Sequence, residues 1–108
     1  MIHKPSVIAL LMISLSAATG RADDAPHQTW LKAKCALCHG EDGAGNTPQG
    51  KSKGVPDIRS DEVQKRTDAE LTQLIVQGHG RMVSFKNRVK PEQIPLLVRY
   101  IRSIAKPK

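Results

Sequence analysis

The chain has 108 residues, of which 39% are hydrophobic, 25% are charged and only 3% are aromatic, and its formal net charge is +7. This length suits one small domain rather than two, two cysteines cannot form a dense disulfide framework, and a single apolar run excludes a polytopic membrane protein. Aromatic side chains usually supply much of the buried area of a core. A chain with one Trp, one Tyr and one Phe is therefore expected to need something else to fill its interior.

The N-terminus has the pattern of a secretory signal peptide. A short basic start is followed by an almost wholly apolar or small stretch over residues 5–18, then by Thr-Gly-Arg-Ala and an acidic pair. We predict cleavage after Ala22, so that residues 1–22 are the signal peptide and residues 23–108 are the mature, periplasmic domain. Cleavage after Ala18 and retention as a membrane anchor are the alternatives. The apolar run is short for a span of about 20 residues, so we expect no stable membrane span after cleavage.

The charge of the mature chain bears on its partners. Loss of residues 1–22 would leave 86 residues with a net charge of +5, because this segment holds two of the 17 basic residues and none of the 10 acidic ones. The basic residues are scattered singly, and no aromatic residues alternate with them to stack on bases. We therefore predict no nucleic acid partner and expect an acidic protein partner.

The first half of the mature chain is predicted to hold little regular structure. A short helix is expected over residues 25–34, and a helical turn within residues 57–66. Residues 40–56 contain five glycines and two prolines, which predicts a loop. Loops longer than about 12–15 residues are unusual in compact domains unless they serve a function. Together with the shortage of aromatic residues, this loop suggests a chain wrapped around a large non-protein group.

Two longer helices are predicted in the second half. Thr67 and Glu70 form a T-x-x-E capping box, and apolar residues follow at helical spacing until a Gly-His-Gly sequence. After an irregular stretch over residues 81–90, the last helix starts at Pro91. Pro95 is a local conflict, because it removes an early backbone hydrogen bond. No stretch alternates over more than a few residues as a strand would, so the predicted fold class is all-α with long loops.

Cys35, Cys38 and His39 form the motif C-x-x-C-H, the attachment motif of c-type haem. On a helix these three positions project from one turn. Two thiols can then add to the two vinyl groups along one side of a haem, and the adjacent imidazole lies under the iron. Both cysteines of the chain fall in this motif. We predict one covalently attached haem c, with His39 as a ligand of its iron.

Other uses of the two cysteines fit the sequence less well. A dithiol redox pair is expected in a βαβ context, and no strand is predicted. A zinc site needs four ligands, so His27 or His79 would have to complete the set. A disulfide across two residues in a helix would be strained. The remaining alternative is an exported helical domain without haem, which would be colourless when purified.

A second axial ligand is expected on the other face of the iron. Met82 is the only methionine after residue 22, and it lies in the irregular segment Gly-His-Gly-Arg-Met-Val-Ser-Phe. A methionine that fills a core gap is expected on an apolar helical stripe instead. A thioether is a soft ligand that raises the reduction potential. We predict Met82 as the second ligand and interpret His79 as a solvated loop residue.

The chain resembles a monohaem class I cytochrome c of the small bacterial kind. The matching stretches, in order, are KCALCHGEDGAGNTPQGK, VPDIRS, DAELTQLIVQGHGRM and PEQIPLLVRYIRSI, which cover essentially the whole mature chain. The resemblance implies the small cytochrome c fold, with three to four helices and long loops wrapped around one covalently attached haem. It also implies that Cys35 and Cys38 carry the thioethers and that His39 and Met82 bind the iron.

The resemblance implies further contacts. The first and last helices would cross, with Trp30 or Leu31 against Leu97 and Tyr100. Pro48 aligns with the family proline whose carbonyl accepts a hydrogen bond from the proximal imidazole, and an ordinary turn proline is the alternative.

Two other positions and two departures complete the comparison with the family. Arg59 and Ser60 would be partners of a haem propionate, or they would belong to a solvated turn. Val83 stands where relatives often have a proline after the axial Met82, and Lys90 stands where a Ser or Thr helix cap is usual.

His/Met ligation would saturate the iron, which predicts outer-sphere Fe(III)/Fe(II) cycling by an electron carrier rather than an enzyme. A five-coordinate haem enzyme or small-ligand binder, and a fixed haem subunit of a larger oxidoreductase complex, are the alternatives. We expect a monomer that meets an oxidase, dehydrogenase or reductase through an acidic docking surface. Basic residues would ring the haem edge, or would only keep the protein soluble: Lys32, Lys34, Lys51, Lys53, Arg81, Lys86 and Arg88.

Overall fold

The computed structural model describes residue 3 and residues 25–107, and its regular structure is helical. The helices, in order, are α1 (Pro26–Lys32), α2 (Ala36–His39), α3 (Pro48–Lys53), α4 (Asp61–Gln64), α5 (Asp68–Gln77) and α6 (Ile94–Ser103), with a 3₁₀ turn over Pro91–Gln93 before α6. Four of these α-helices have six residues or more. The predicted all-α fold with long loops is confirmed. Apart from residue 3, the predicted signal peptide lies outside the described residues, and no helix within them is long and apolar enough to cross a membrane.

The first and last helices pack against each other, as the resemblance implies. The rings of Trp30 and Tyr100 lie 5.0 Å apart between centroids, and Leu97 of the last helix is only 1% exposed. Helix α5 also packs against α6, which is therefore the central helix of the fold. The buried hydrophobic side chains form one cluster: Trp30, Ile58, Leu71, Ile75, Ile94, Leu97, Val98, Tyr100 and Ile101.

Local signals set the starts of the two longest helices. The hydroxyl of Thr67 accepts a hydrogen bond from the Glu70 N–H (3.1 Å), and the Glu70 carboxylate accepts one from the Thr67 N–H (3.4 Å), so the predicted capping box is present. At the 3₁₀ turn the Gln93 side chain accepts a bond from the Lys90 N–H (2.8 Å). Pro95 causes no break, because it lies in the first turn of α6, where an N–H has no intrahelical partner.

The prediction of an uninterrupted loop over residues 40–56 is wrong, because helix α3 forms within it. The hydroxyl of Thr47 caps this helix by accepting a bond from the Gly50 N–H (2.9 Å). Gly54, with φ +65°, ends the helix in the left-handed conformation. A β-carbon on Gly50 would overlap the carbonyl oxygen of Cys38. This glycine therefore permits close packing of α3 against α2, and it does not indicate a loop.

An ion-pair cluster ties the segment before α4 to the C-terminal end of the chain. The Asp57 carboxylate accepts hydrogen bonds from Nε (2.9 Å) and Nη2 (3.0 Å) of Arg59. It also lies 3.1 Å from the side-chain ammonium of Lys106. The backbone N–H of Lys106 donates a hydrogen bond to the Arg59 carbonyl (3.0 Å). The hydrogen bonds from Arg59, with a smaller contribution from Lys106, hold the pKa of Asp57 well below its usual range.

We expect Asp57→Asn to destabilise the protein in a pH-dependent way. The folded-state pKa of Asp57 lies below the unfolded value of about 3.9, so its carboxylate stabilises the fold above that pH and loses this effect as the pH falls through the folded-state pKa. The difference in unfolding free energy between wild type and variant should therefore shrink below about pH 4. Urea unfolding between pH 7 and acid measures it, with the exposed carboxylate variant Glu92→Gln as control. A difference that does not vary with pH would contradict this account.

Candidate functional site

A cavity of about 510 Å³ lies between the helices, and all six α-helices contribute side chains to its lining. The lining is largely apolar, and much of it comes from the buried cluster around α5 and α6. Cys35, Cys38, His39 and Met82 all line this one cavity. The structure thus brings together the two thiols, the imidazole and the thioether that the sequence analysis selected.

Trp30 holds the end of helix α2, on which His39 lies. Its indole Nε1 donates a hydrogen bond to the Gly40 carbonyl (3.0 Å), and its ring centroid is 5.9 Å from that of His39. Burial lowers the pKa of His39, because it disfavours the charged form. The imidazole is therefore held in the neutral form that binds metals. Sequence reasoning assigned Trp30 only to the helix crossing and missed this second contact.

Nδ1 of His39 is buried and has no hydrogen-bond partner among the described residues. Buried ring nitrogens rarely lack a partner, and a metal-binding imidazole normally uses both nitrogens. Pro48 lies in the first turn of α3, and the hydrogen bond predicted from the imidazole to its carbonyl is not formed. This role of Pro48 stays a prediction.

The two cysteines are half-buried, and both thiols are free. Burial raises the pKa of the Cys35 thiol to about 12, and the nearby Cys38 adds to this rise. Without a bound metal, Cys35 is therefore a neutral thiol at ordinary pH. In the part of the chain that the structure describes, no group of three or more His, Cys, Asp or Glu side chains is placed to hold a metal ion. The geometry gives no support to the zinc alternative.

The loop that carries Met82 is irregular but well anchored. Its tip is closed by two backbone hydrogen bonds between His79 and Met82 (3.1 and 2.9 Å), and the Phe85 N–H donates to a carbonyl of α5 (3.0 Å). Gly78 begins the loop with φ +75°, and a β-carbon there would lie 2.6 Å from the Met82 carbonyl oxygen. His79 is exposed, as predicted. Phe85 also lines the cavity, a role that no sequence pattern indicated.

Basic side chains outnumber acidic ones at the cavity. One acidic residue, Glu62, lines it beside four basic ones: Lys34, Lys53, Arg66 and Arg81. Arg59 and Ser60 do not line the cavity. Arg59 pairs with Asp57, and the hydroxyl of Ser60 caps α4. These contacts belong to the turn before α4, and the propionate contact stays a prediction.

Comparison with known proteins places the chain among the monohaem c-type cytochromes. The family model described as cytochrome c oxidase, cbb3-type, subunit III matches residues 21–101, and the chain belongs to this family. Among six solved chains that match, the c-type cytochrome KustC0563 is 30% identical, with a TM-score of 0.69 over 76% of this chain and 99% of that chain. A search of curated proteins gives no match.

The family identifies the expected cofactor as one covalently bound haem c with its iron, and the residues of the cavity fit it. The cavity is apolar, both cysteines face it, and the unpartnered His39 ring forms part of its wall. Its basic residues suit a group that carries two propionates. The predicted small cytochrome c fold and its cofactor are confirmed.

We expect Gly78→Ala to displace Met82 for two reasons. The new β-carbon would overlap the backbone of residues 82–84. The positive φ and extended ψ of Gly78 are also a backbone conformation that essentially only glycine adopts. Gly80→Ala is the matched control. Gly80 has φ +56° and nothing within 4 Å of an added β-carbon, so the change costs about 1–2 kcal/mol of left-handed strain.

In the haem-loaded, oxidised protein, Gly78→Ala should weaken the far-red absorption band of methionine-ligated ferric iron. Gly80→Ala should leave this band in place. Equal loss of the band in both variants would show that the close approach at Gly78 does not position Met82.

Proposed function

We propose that this chain is an exported electron carrier whose haem is attached to Cys35 and Cys38 and ligated by His39 and Met82. The observation that carries the proposal is that these four side chains line the same largely apolar cavity. Membership of the cytochrome family supplies the haem-based electron transfer. Export to the periplasm rests on the signal-peptide pattern of residues 1–22.

The bound haem supplies reversible one-electron Fe(III)/Fe(II) chemistry. The neutral His39 and the Met82 thioether would hold its iron, and this ligation would leave no position on the iron for a substrate. Leu97 and Ile101 are buried and form part of the apolar wall of this site. Apolar surroundings and a thioether ligand would both favour the less charged ferrous state and so raise the reduction potential. The protein is therefore an electron carrier in this proposal. Electrons would pass between the haem edge and the partner without formation of a chemical bond.

The proposed docking surface combines exposed apolar and basic side chains. Val83 is 46% exposed and lines the cavity together with Lys53 and Arg81. Leu37, inside the haem-attachment motif, is 56% exposed. An apolar centre with a charged rim is typical of transient interfaces, and the positive rim would steer an acidic redox partner.

A second candidate function is a fixed haem subunit of an oxidase, and the family description, which names an oxidase subunit, favours it. The chemistry of the haem would be the same, but the partner would be permanent. Fractionation of the native host distinguishes the two roles. A free carrier is recovered alone from the periplasmic fraction, whereas a subunit stays with the oxidase in the membrane fraction.

We expect Met82→Ala to remove one of the two side chains that would hold the iron. The wild-type protein should show the reduced c-type bands and, when oxidised, the far-red band of methionine ligation. The variant should lose the far-red band, become high-spin and bind carbon monoxide when reduced. His79→Ala is the control, because it removes the imidazole of the same loop, and it should keep the wild-type spectrum. A high-spin wild-type spectrum would instead select the five-coordinate enzyme or ligand binder.

Charge at the cavity should control electron exchange with anions. We expect Lys53→Glu to slow the oxidation of the ferrous protein by ferricyanide about two- to fivefold at roughly 10 mM salt, where charges act over about 30 Å. The difference should disappear near 1 M salt, where the screening length is about 3 Å. Arg99→Glu makes the same charge change at an exposed position of α6 that does not line the cavity. Equal effects of both variants on the oxidation rate in stopped-flow measurements would argue against electron exchange at the side of the cavity where Lys53 lies.

A further inference from the structure

We propose that Arg81 is a positioning residue that fastens the Met82 loop to helix α3 across the cavity. Nη1 of Arg81 donates a hydrogen bond to the backbone carbonyl of Ser52 at 3.0 Å. Ser52 lies in α3, and Arg81 directly precedes Met82. This inference rests on the proposed ligation by Met82 and adds a residue that maintains it.

The other hydrogen bonds of the loop do not reach this side of the cavity. In the part of the chain that the structure describes, all hydrogen bonds of residues 78–85 other than that of Arg81 stay within the loop, lead to the residues just after it or go back to α5. The Gly78 and Phe85 N–H groups donate to carbonyls of α5, and the Ser84 hydroxyl donates to the Val76 carbonyl at 2.5 Å. These contacts hold the base of the loop. Arg81 holds its tip from the opposite side.

Helix α3 is itself fastened to the helix that carries the haem-attachment motif. The Thr47 hydroxyl donates to the Cys38 carbonyl at 2.8 Å, and Gly50 lets the two helices approach closely. The hydrogen bond from Arg81 to Ser52 therefore completes a path around the cavity, from the Met82 loop through α3 to the helix with Cys38 and His39. The two axial ligands are joined by this path as well as by the core.

Loss of this contact should raise the fraction of time that the loop is open. A ligand that competes for the iron binds only when Met82 has left, so its apparent affinity scales with the open fraction. A single hydrogen bond is worth about a two- to tenfold change in such an equilibrium. Arg81→Ala should thus strengthen the binding of free imidazole to the oxidised haem protein by about two- to tenfold.

Matched variants separate the contact from its charge. Lys51→Ala removes a basic side chain from α3 at an exposed position that does not line the cavity, and it should leave imidazole binding unchanged. Ser52→Ala should also be silent, because the acceptor is the backbone oxygen. Arg81→Lys keeps a donor in place and should restore part of the wild-type value. Hydrogen exchange of the backbone amides of residues 78–85 is measured on the same proteins. Compared with wild type, it should be clearly faster in Arg81→Ala, slightly faster in Arg81→Lys and unchanged in the other variants.

The outcomes test the role of Arg81 separately from the proposed ligation by Met82. Unchanged imidazole binding and unchanged loop exchange in Arg81→Ala would overturn the role of Arg81. An equal effect of Lys51→Ala would overturn it in favour of general electrostatics. A wild-type protein without the far-red band would overturn Met82 ligation, and the contribution of Arg81 to that ligation with it. The amide exchange of the loop would then still report whether Arg81 fastens the loop to α3.

Discussion

The apolar cavity at the centre of the fold is the constraint on which the rest of the structure depends. A small domain buries a limited share of its surface, and this one gives part of its apolar side chains to the wall of a space of about 510 Å³. An open apolar wall stabilises nothing, so the fold gains its full hydrophobic stabilisation only when the haem fills the cavity. The cofactor is in this sense part of the core. This explains how a chain with three aromatic residues can be a compact helical domain.

Placement of ligands around that cavity depends on glycine at a few close approaches. Gly50 allows α3 to pack against the carbonyl of Cys38, and Gly78 allows the chain to fold back on the backbone that follows Met82. Both are positions where a β-carbon would push apart two segments that carry site residues. The irregular parts of this protein are therefore held by close packing and by backbone hydrogen bonds. Their lack of regular helix does not make them loosely defined.

Charge is divided between two regions with different roles. Asp57, Arg59 and Lys106 form a cluster that joins a loop to the C-terminal end of the chain, and its hydrogen bonds act on the fold. The basic residues at the cavity, such as Lys53 and Arg81, are exposed and are available to the propionates of the cofactor and to a partner. The net positive charge of the chain alone does not distinguish these roles. The distinction lies in the contacts: Arg59 and Lys106 pair with Asp57, whereas Lys53 and Arg81 line the cavity.

The helix-capping signal at Thr67 and Glu70, the apolar spacing of α6 and the C-x-x-C-H motif were all readable from the sequence, because each is a local pattern whose partners lie within a few residues. These patterns were enough to predict the helical class, the cofactor and the candidate ligands. Met82 could be chosen as the candidate second ligand because no other methionine follows residue 22.

Other features were decided only by the tertiary structure. Helix α3 was missed because its glycines have the pattern of a loop, and their role in close packing is visible only beside helix α2. The two roles considered for Arg59 stayed open in the sequence, because its pairing with Asp57 is a property of the folded chain. The contacts of Trp30 with Gly40, and of Arg81 with Ser52, join segments 10 and 29 residues apart in the chain. Sequence by itself determined which chemical groups the protein has and which local elements hold them. Tertiary structure decided which groups meet, because such contacts depend on how distant segments pack and no local pattern records that packing.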